Sequence, residues 1–169
     1  MNEQNGYDIE DLHVGMTACF SRTLTEADII VFAGLSGDNN PVHFNEEYAS
    51  TTAFRGRVAH GFLVASLISA ALSNRLPGPG AIYREQQLRF RAPVCPGDTV
   101  HATVTVKQVD LDKAIAVLET VCQVRDRVVI DGEATVQMSS SARRNRMGIT
   151  SKANTGRLVL QGVEKSLLG

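Results

Sequence analysis

The sequence predicts an α+β domain in which a curved antiparallel β-sheet wraps around one long, buried helix. Three observations lead there. Residues Phe62 to Asn74, "FLVASLISAALSN", are apolar almost all round, and a helix without a polar face must be buried on nearly every side. After "PGPG" at Pro77 to Gly80 the hydrophobic period changes to two, which is the period of a half-buried strand. The links between the alternating segments are short, which makes consecutive strands antiparallel neighbours.

The elements follow in order. Met16 to Arg22 read as a first short strand. In "TEADIIVFAGLS", Thr25 is a helix N-cap and Asp28, three residues on, reaches back to complete a capping box. Ile29, Phe32 and Ala33 recur at helical spacing, and the helix is expected to stop at Ser36-Gly37. The turn "DNNP" comes next, and a second short helix begins at Asn45, where Glu46 and Glu47 suit the positive end of the dipole. In the long apolar helix only Ser66, Ser69 and Ser73 interrupt the run, all on one face. "AIYREQQLRFR" and "AIAVLETVCQV" are strands. In a third, Val100, Ala102, Val104 and Val106 alternate with polar neighbours. In a fourth, Val128, Ile130, Ala134 and Val136 are expected to share the inner face. Turns fall at Pro96-Gly97-Asp98, Asp110 to Lys113 and Arg125-Asp126. A single buried helix needs a surface that surrounds it, and a curved apolar sheet supplies one. That is the hot-dog arrangement. One such unit leaves sheet edges uncovered, which a twofold dimer would partly relieve.

Composition narrows the function classes. With 169 residues the chain suits one domain, placed at 1–139 and followed by a tail at 140–169. Hydrophobic residues are 43%, enough for a core, while the formal net charge of −1 argues against a nucleic-acid partner. The tail carries six bases, from Arg143 to Lys165, against Glu164 alone. It reads either as a basic arm for an acidic partner or, preferably, as a solvated or added extension. The longest apolar run, Gly61 to Leu72, falls short of the ~20 residues a membrane span needs. The N-terminus "MNEQNGYDIE" is not a targeting segment, and Cys19, Cys95 and Cys122 show no paired spacing. Reduced thiols and a cytoplasmic location are expected.

The chemistry concentrates in "FAGLSGDNNPVHFNEEYA", Phe32 to Ala49. Asp38 and His43 bracket a turn stiffened by Gly37, Asn39, Asn40 and Pro41. A carboxylate and an imidazole able to hold one water form an acid/base pair. An Asx-type turn with an exposed histidine explains the same residues, and spacing alone leaves both readings open. The four histidines, His13, His43, His60 and His101, show no metal-ligand spacing, so no metal is expected. No Gly-rich phosphate loop is present. Arg89 and Arg91 alternate on a strand as ordinary solvated residues.

The Phe32–Ala49 stretch resembles the hydratase 2 signature of the MaoC-like dehydratase family, in the Gly-Asp-x-Asn-Pro-aliphatic-His run of Gly37, Asp38, Asn40, Pro41, Val42 and His43. The likeness extends through "VAHGFLVASLISAAL" and "FRAPVCPGDTV" and spans roughly Val14 to Met138. It is most similar to the stand-alone (R)-specific enoyl-CoA hydratases. The resemblance implies the hot-dog fold, a homodimer, and syn addition of water to a trans-2-enoyl thioester. It also implies that the CoA thioester is the substrate and that no cofactor is needed. By this resemblance Asp38 holds and deprotonates the water, and His43 shares it and supplies the proton to C2. Gly61 supplies an oxyanion-hole N–H, and Ser69 orients the site. Asn40 joins them as a candidate substrate-binding residue. His60 reads as a structural hydrogen-bonding residue to which the resemblance assigns no role. The rivals are a 3-hydroxyacyl-[acyl carrier protein] dehydratase with the same site, a hot-dog thioesterase and a non-catalytic acyl-binding module. Carrier-protein substrates, thiol release and an unchanged enoyl absorbance distinguish them in turn.

Overall fold

The computed structural model of the chain describes residues 6–142, so the basic residues expected to form a tail lie outside the described residues. Its elements are β1 (Thr17–Thr23), α1 (Glu26–Ser36), α2 (Glu46–Ser50), α3 (Gly61–Asn74), β2 (Ile82–Phe90), β3 (Thr99–Asp110), β4 (Ile115–Val124) and β5 (Arg127–Gln137). Single 3-10 turns cover Ile9–Asp11 and Pro41–His43. The strands form one antiparallel sheet in the order β1-β3-β4-β5-β2, and α3 packs against β1, β3 and β4. The fold is the hot-dog arrangement.

The alternation in β3 produces the inner face as expected. Val100, Ala102, Val104 and Val106 are all fully buried, and each valine contributes about 1.5–3 kcal/mol by leaving water. From α3, Val64, Leu67, Ile68, Ala71 and Leu72 meet this face. One row of the sheet runs Phe20, Ala102, Cys122, Ile130 and Phe90 across all five strands. Its far end, Ile130 and Phe90, reaches the candidate site described below.

Two sequence expectations need correction. In β5, Val128 is exposed while Val129 and Ile130 are both buried. The register with β4 shifts between Cys122 and Gln123, so that Gln123 faces Val128 and Cys122 faces Ile130. The extra residue in the bulge turns Val128 outward, an event that strict period-two counting misses. The second correction concerns α3. It is buried along one side only; Phe62, Ser66, Ser69 and Ser73 form an exposed stripe. The sheet covers one side of the helix, and the serines occupy the side left open.

The described chain continues past the expected domain end at 139. The Ser139 hydroxyl donates to Asp8 and its carbonyl accepts from the Ile9 N–H. Glu10 then accepts from the Ser140 hydroxyl and from the N–H groups of Ser141 and Ala142. Among the described residues no helix is long and apolar enough to cross a membrane.

Candidate active site

Local rules build the segment that carries Asp38. Thr25 caps α1: its hydroxyl accepts from the Asp28 N–H, and the Asp28 carboxylate accepts from the Thr25 N–H. At the other end Gly37 takes the left-handed conformation, φ 78°, and its N–H closes on the Ala33 carbonyl. Glycine adopts that φ without steric cost, so the chain leaves the helix in a tight turn. Asn40 then caps the 3-10 turn Pro41–His43, its side-chain oxygen accepting from the Val42 N–H at 3.2 Å. Asn45 caps α2 in the same way. Arg57 braces the assembly from outside: it holds Glu26 of α1 through two nitrogens and Glu46 of α2 through a third.

Asp38 is held at three atoms. Its N–H donates to the Ser36 hydroxyl at 3.2 Å, its Oδ1 accepts from the Asn40 N–H at 3.3 Å, and its carbonyl accepts from Nε2 of His60 at 3.0 Å. The other carboxylate oxygen, Oδ2, lies 3.9 Å from Nε2 of His43. The aspartate side chain is 51% exposed and the histidine side chain 10%, so one partner faces water and the other the interior.

The tautomer of His43 follows from its second nitrogen. Nδ1 lies 2.8 Å from the carbonyl of Val58. A carbonyl only accepts, so Nδ1 carries a proton. In the neutral ring Nε2 then presents a lone pair toward Asp38. Two acceptors, Oδ2 and Nε2, face one another across a gap that a water about 2.8 Å from each can bridge. The small cluster of Val42, Ala49 and Val58 anchors the turn and the Val58 carbonyl together.

His43 opens onto a cavity of about 480 Å³ lined also by Asn40, Gly61, Val64, Phe90 and Ile130. Gly61 is the first residue of α3, and the first intrahelical bond is made by the Val64 N–H to the His60 carbonyl at 3.1 Å. The N–H groups before Val64 have no intrahelical acceptor, and the helix dipole adds positive potential there. A Cβ on Gly61 would come 2.9 Å from the Phe90 ring. Glycine therefore lets the ring lie against the start of the helix, where Gly61 lines the cavity.

The structure thus brings His43, Asn40 and Gly61 together around one cavity, with Asp38 beside His43. It does not bring Ser69 there: Ser69 sits on the exposed stripe of α3 and is absent from the cavity lining. It adds His60, 2% exposed, whose ring stacks on His43 with centroids 3.7 Å apart and planes at 28°. The sequence separation of 22 residues between His60 and Asp38 hid this contact. The only local signal was its position immediately before a helix. Asp38, His43 and His60 each bring one ligand-type atom within 4.8 Å of the others, a grouping that the scattered histidines did not suggest. Because the two rings are stacked, their lone pairs lie in two nearly parallel planes, a poor match to the convergent donors of a tetrahedral metal site.

Comparison with known proteins identifies the family. The MaoC like domain family matches residues 13–127. The (R)-specific enoyl-CoA hydratase of Rhodospirillum rubrum is 54% identical over 129 residues, 76% of this chain and 90% of that protein. The 3-hydroxybutyryl-CoA dehydratase of Methylorubrum extorquens is 46% identical over 129 residues, 76% of this chain and 82% of that protein. The solved structure of the (R)-hydratase from A. caviae involved in PHA biosynthesis is 42% identical, covers 76% of this chain and 98% of its own, and superposes with a TM-score of 0.74. A match across most of the fold, on a chain whose signature turn holds a carboxylate and an imidazole on one gap, means that this protein belongs to the MaoC-like dehydratase family.

Proposed function

We infer that the protein is a hydro-lyase, an (R)-specific enoyl-CoA hydratase that adds water reversibly and syn across a trans-2-enoyl-CoA. The observation that carries this reading is the pair of acceptors, Asp38 Oδ2 and His43 Nε2, aimed at one gap beside the open N-terminus of α3. Hydration needs three things: an activated water, a proton for C2, and stabilisation of the negative charge that builds on the thioester oxygen. A water held between Asp38 and His43 donates one hydrogen to each. As its oxygen attacks C3, the proton hydrogen-bonded to His43 passes to Nε2, while the Asp38 carboxylate orients the other hydrogen, which stays on the new hydroxyl. The protonated Nε2 of His43 then lies on the same face and returns a proton to C2, which makes the addition syn. The thioester oxygen meets the Gly61 N–H, where a preorganised donor and the helix dipole favour developing charge. Water and thioester suffice for this chemistry, so the reaction needs no cofactor.

The functional unit in this reading is a homodimer. The edge strand β2 and the open stripe of α3 carry large exposed apolar side chains, Ile82, Tyr83, Phe90 and Phe62. An unpaired edge with that chemistry suits a second copy across a twofold axis. Ser69, on the same stripe, then enters a site only through the dimer. The setting in this reading is cytoplasmic, which suits the free thiols of exposed Cys19 and Cys95. The substrate carrier is CoA, with acyl carrier protein as the competing carrier.

The test is hydration of crotonyl-CoA, followed by loss of enoyl absorbance and chiral analysis of the product. Formation of (R)-3-hydroxybutyryl-CoA is expected, with CoA thioesters turned over faster than carrier-protein thioesters. An (S) product, or release of free CoA thiol without hydration, overturns the reading. Light scattering at micromolar concentration should give the mass of two chains or a multiple, and Ile82→Lys should lower it.

A further inference from the structure

We infer that His60 is a positioning residue that sets the geometry of the Asp38–His43 pair, an inference that rests on the hydratase reading above. Three kinds of contact on one ring carry it. Nε2 donates to the Asp38 carbonyl at 3.0 Å, fixing the backbone from which the carboxylate projects. The ring face stacks on the His43 imidazole at 3.7 Å and supports it from behind. Phe32 and Phe44, with ring centroids at 5.0 and 5.9 Å, enclose the ring on other sides. One side chain therefore touches both members of the pair, on the backbone of one and the ring of the other.

The fourth observation is a cost. Nδ1 of His60 is buried and has no hydrogen-bond partner among the described residues. Native proteins rarely leave a buried polar atom unsatisfied. A ring serving only as packing would be replaced without loss by phenylalanine, which has no nitrogen to orphan. Here the nitrogen on the other side of the ring has a specific acceptor, and that bond determines the tautomer: the proton is on Nε2 and Nδ1 is the bare acceptor. The unsatisfied atom is what remains when the ring orientation is dictated by Asp38. Such costs persist at sites where geometry matters more than stability.

His60 acts in this reading through the two groups that face the gap, Asp38 by its backbone and His43 by its ring. Its loss is therefore expected to lower turnover rather than substrate binding. His60→Phe keeps the stacked ring and removes the donor. His60→Gln keeps a donor at the reach of Nε2 and loses the ring. In a crotonyl-CoA assay, His60→Phe should lower kcat by about 10²-fold with KM within about threefold of the parent, the scale of a misplaced catalytic group. His60→Gln should recover kcat to within about tenfold of the parent. A folded His60→Phe with parental kcat, or a rise in KM at unchanged kcat, overturns the inference. Nitrogen NMR of the histidine-labelled parent protein provides a readout independent of any variant. It should show His60 with a protonated Nε2 and a bare Nδ1, and the opposite tautomer overturns the inference. Asp38→Asn, assayed in parallel, separates the two levels. If it retains activity, the hydratase site itself is wrong. If it is inactive while His60→Phe is not, only the role of His60 fails.

Discussion

Nε2 of His43 and Oδ2 of Asp38 stand 3.9 Å apart, while Nδ1 of the same imidazole is tied to the Val58 carbonyl at 2.8 Å. The second contact makes sense of the first. It places the ring proton on Nδ1 and leaves two acceptors facing one gap. Asp38→Asn keeps the shape and removes the charged acceptor that orients the water; His43→Gln keeps a hydrogen-bonding group and removes the proton carrier. Each should lower kcat by about 10²–10⁴-fold, the general acid–base scale. The double variant should be little worse than either alone, because groups that handle one water act as a unit. Single variants that keep most of their turnover in the crotonyl-CoA assay contradict the shared-water geometry.

Gly61 has two separable properties, an open N–H and a missing Cβ. Gly61→Pro removes the N–H. Proline suits a first helical position, and the preceding His60, at φ −61° and ψ 134°, already has the extended conformation that proline demands. The expected loss is about 10²–10³ in kcat. Gly61→Ala keeps the N–H and pushes its Cβ against the edge of the Phe90 ring, which is half-exposed and able to shift. Its loss should be much smaller. Equal losses in folded variants would show that the space, not the donor, matters.

The α1 cap makes a pH-dependent contribution to stability. The Asp28 carboxyl is held down from its ordinary 3.8 to about 2, first by the Thr25 hydroxyl, then by the Thr25 N–H, with the Arg22 guanidinium adding to both. A carboxylate whose folded pKa is depressed stabilises the fold above its unfolded value and loses that contribution as pH falls through the folded value. Asp28→Ala should cost about 0.5–2 kcal/mol at neutral pH, the scale of a lost cap. The difference from the parent, read from urea unfolding, should shrink between about pH 4 and pH 2. A gap that stays constant over that window argues against the cap as its source.

At the C-terminal end, Glu10 gathers the Ser140 hydroxyl and the N–H groups of Ser141 and Ala142. A chain truncated after Ala142 should keep kcat within a few-fold, as expected of a tail separate from the site. Truncation after Met138 removes these bonds and those of Ser139, each worth about 0.5–1.5 kcal/mol. It should lower Tm by several degrees while leaving KM alone. A collapse of kcat on truncation after Ala142 would place the tail in catalysis.

What the sequence determined by itself was everything that acts over a few residues. The Thr25–Asp28 box, the exit at Gly37, the helix start at Asn45, and the alternation of Val100 to Val106 all appear where the residues put them. Each depends on hydrogen bonds or side-chain direction within one or two turns, which residue type and spacing dictate. The signature turn belonged to this class, and with it the proximity of Asp38 to His43. Tertiary structure decided the rest, through contacts between groups far apart in the chain. Val58, 15 residues from His43, sets the tautomer, and His60, 22 residues from Asp38, holds its carbonyl. Phe90, from a different strand, meets the start of α3. The bulge that turns Val128 outward depends on how β4 pairs with β5, and the open serine stripe depends on how far the sheet reaches around one helix. No local propensity encodes which distant carbonyl or ring arrives at a given atom; that follows only when the sheet has closed on the helix.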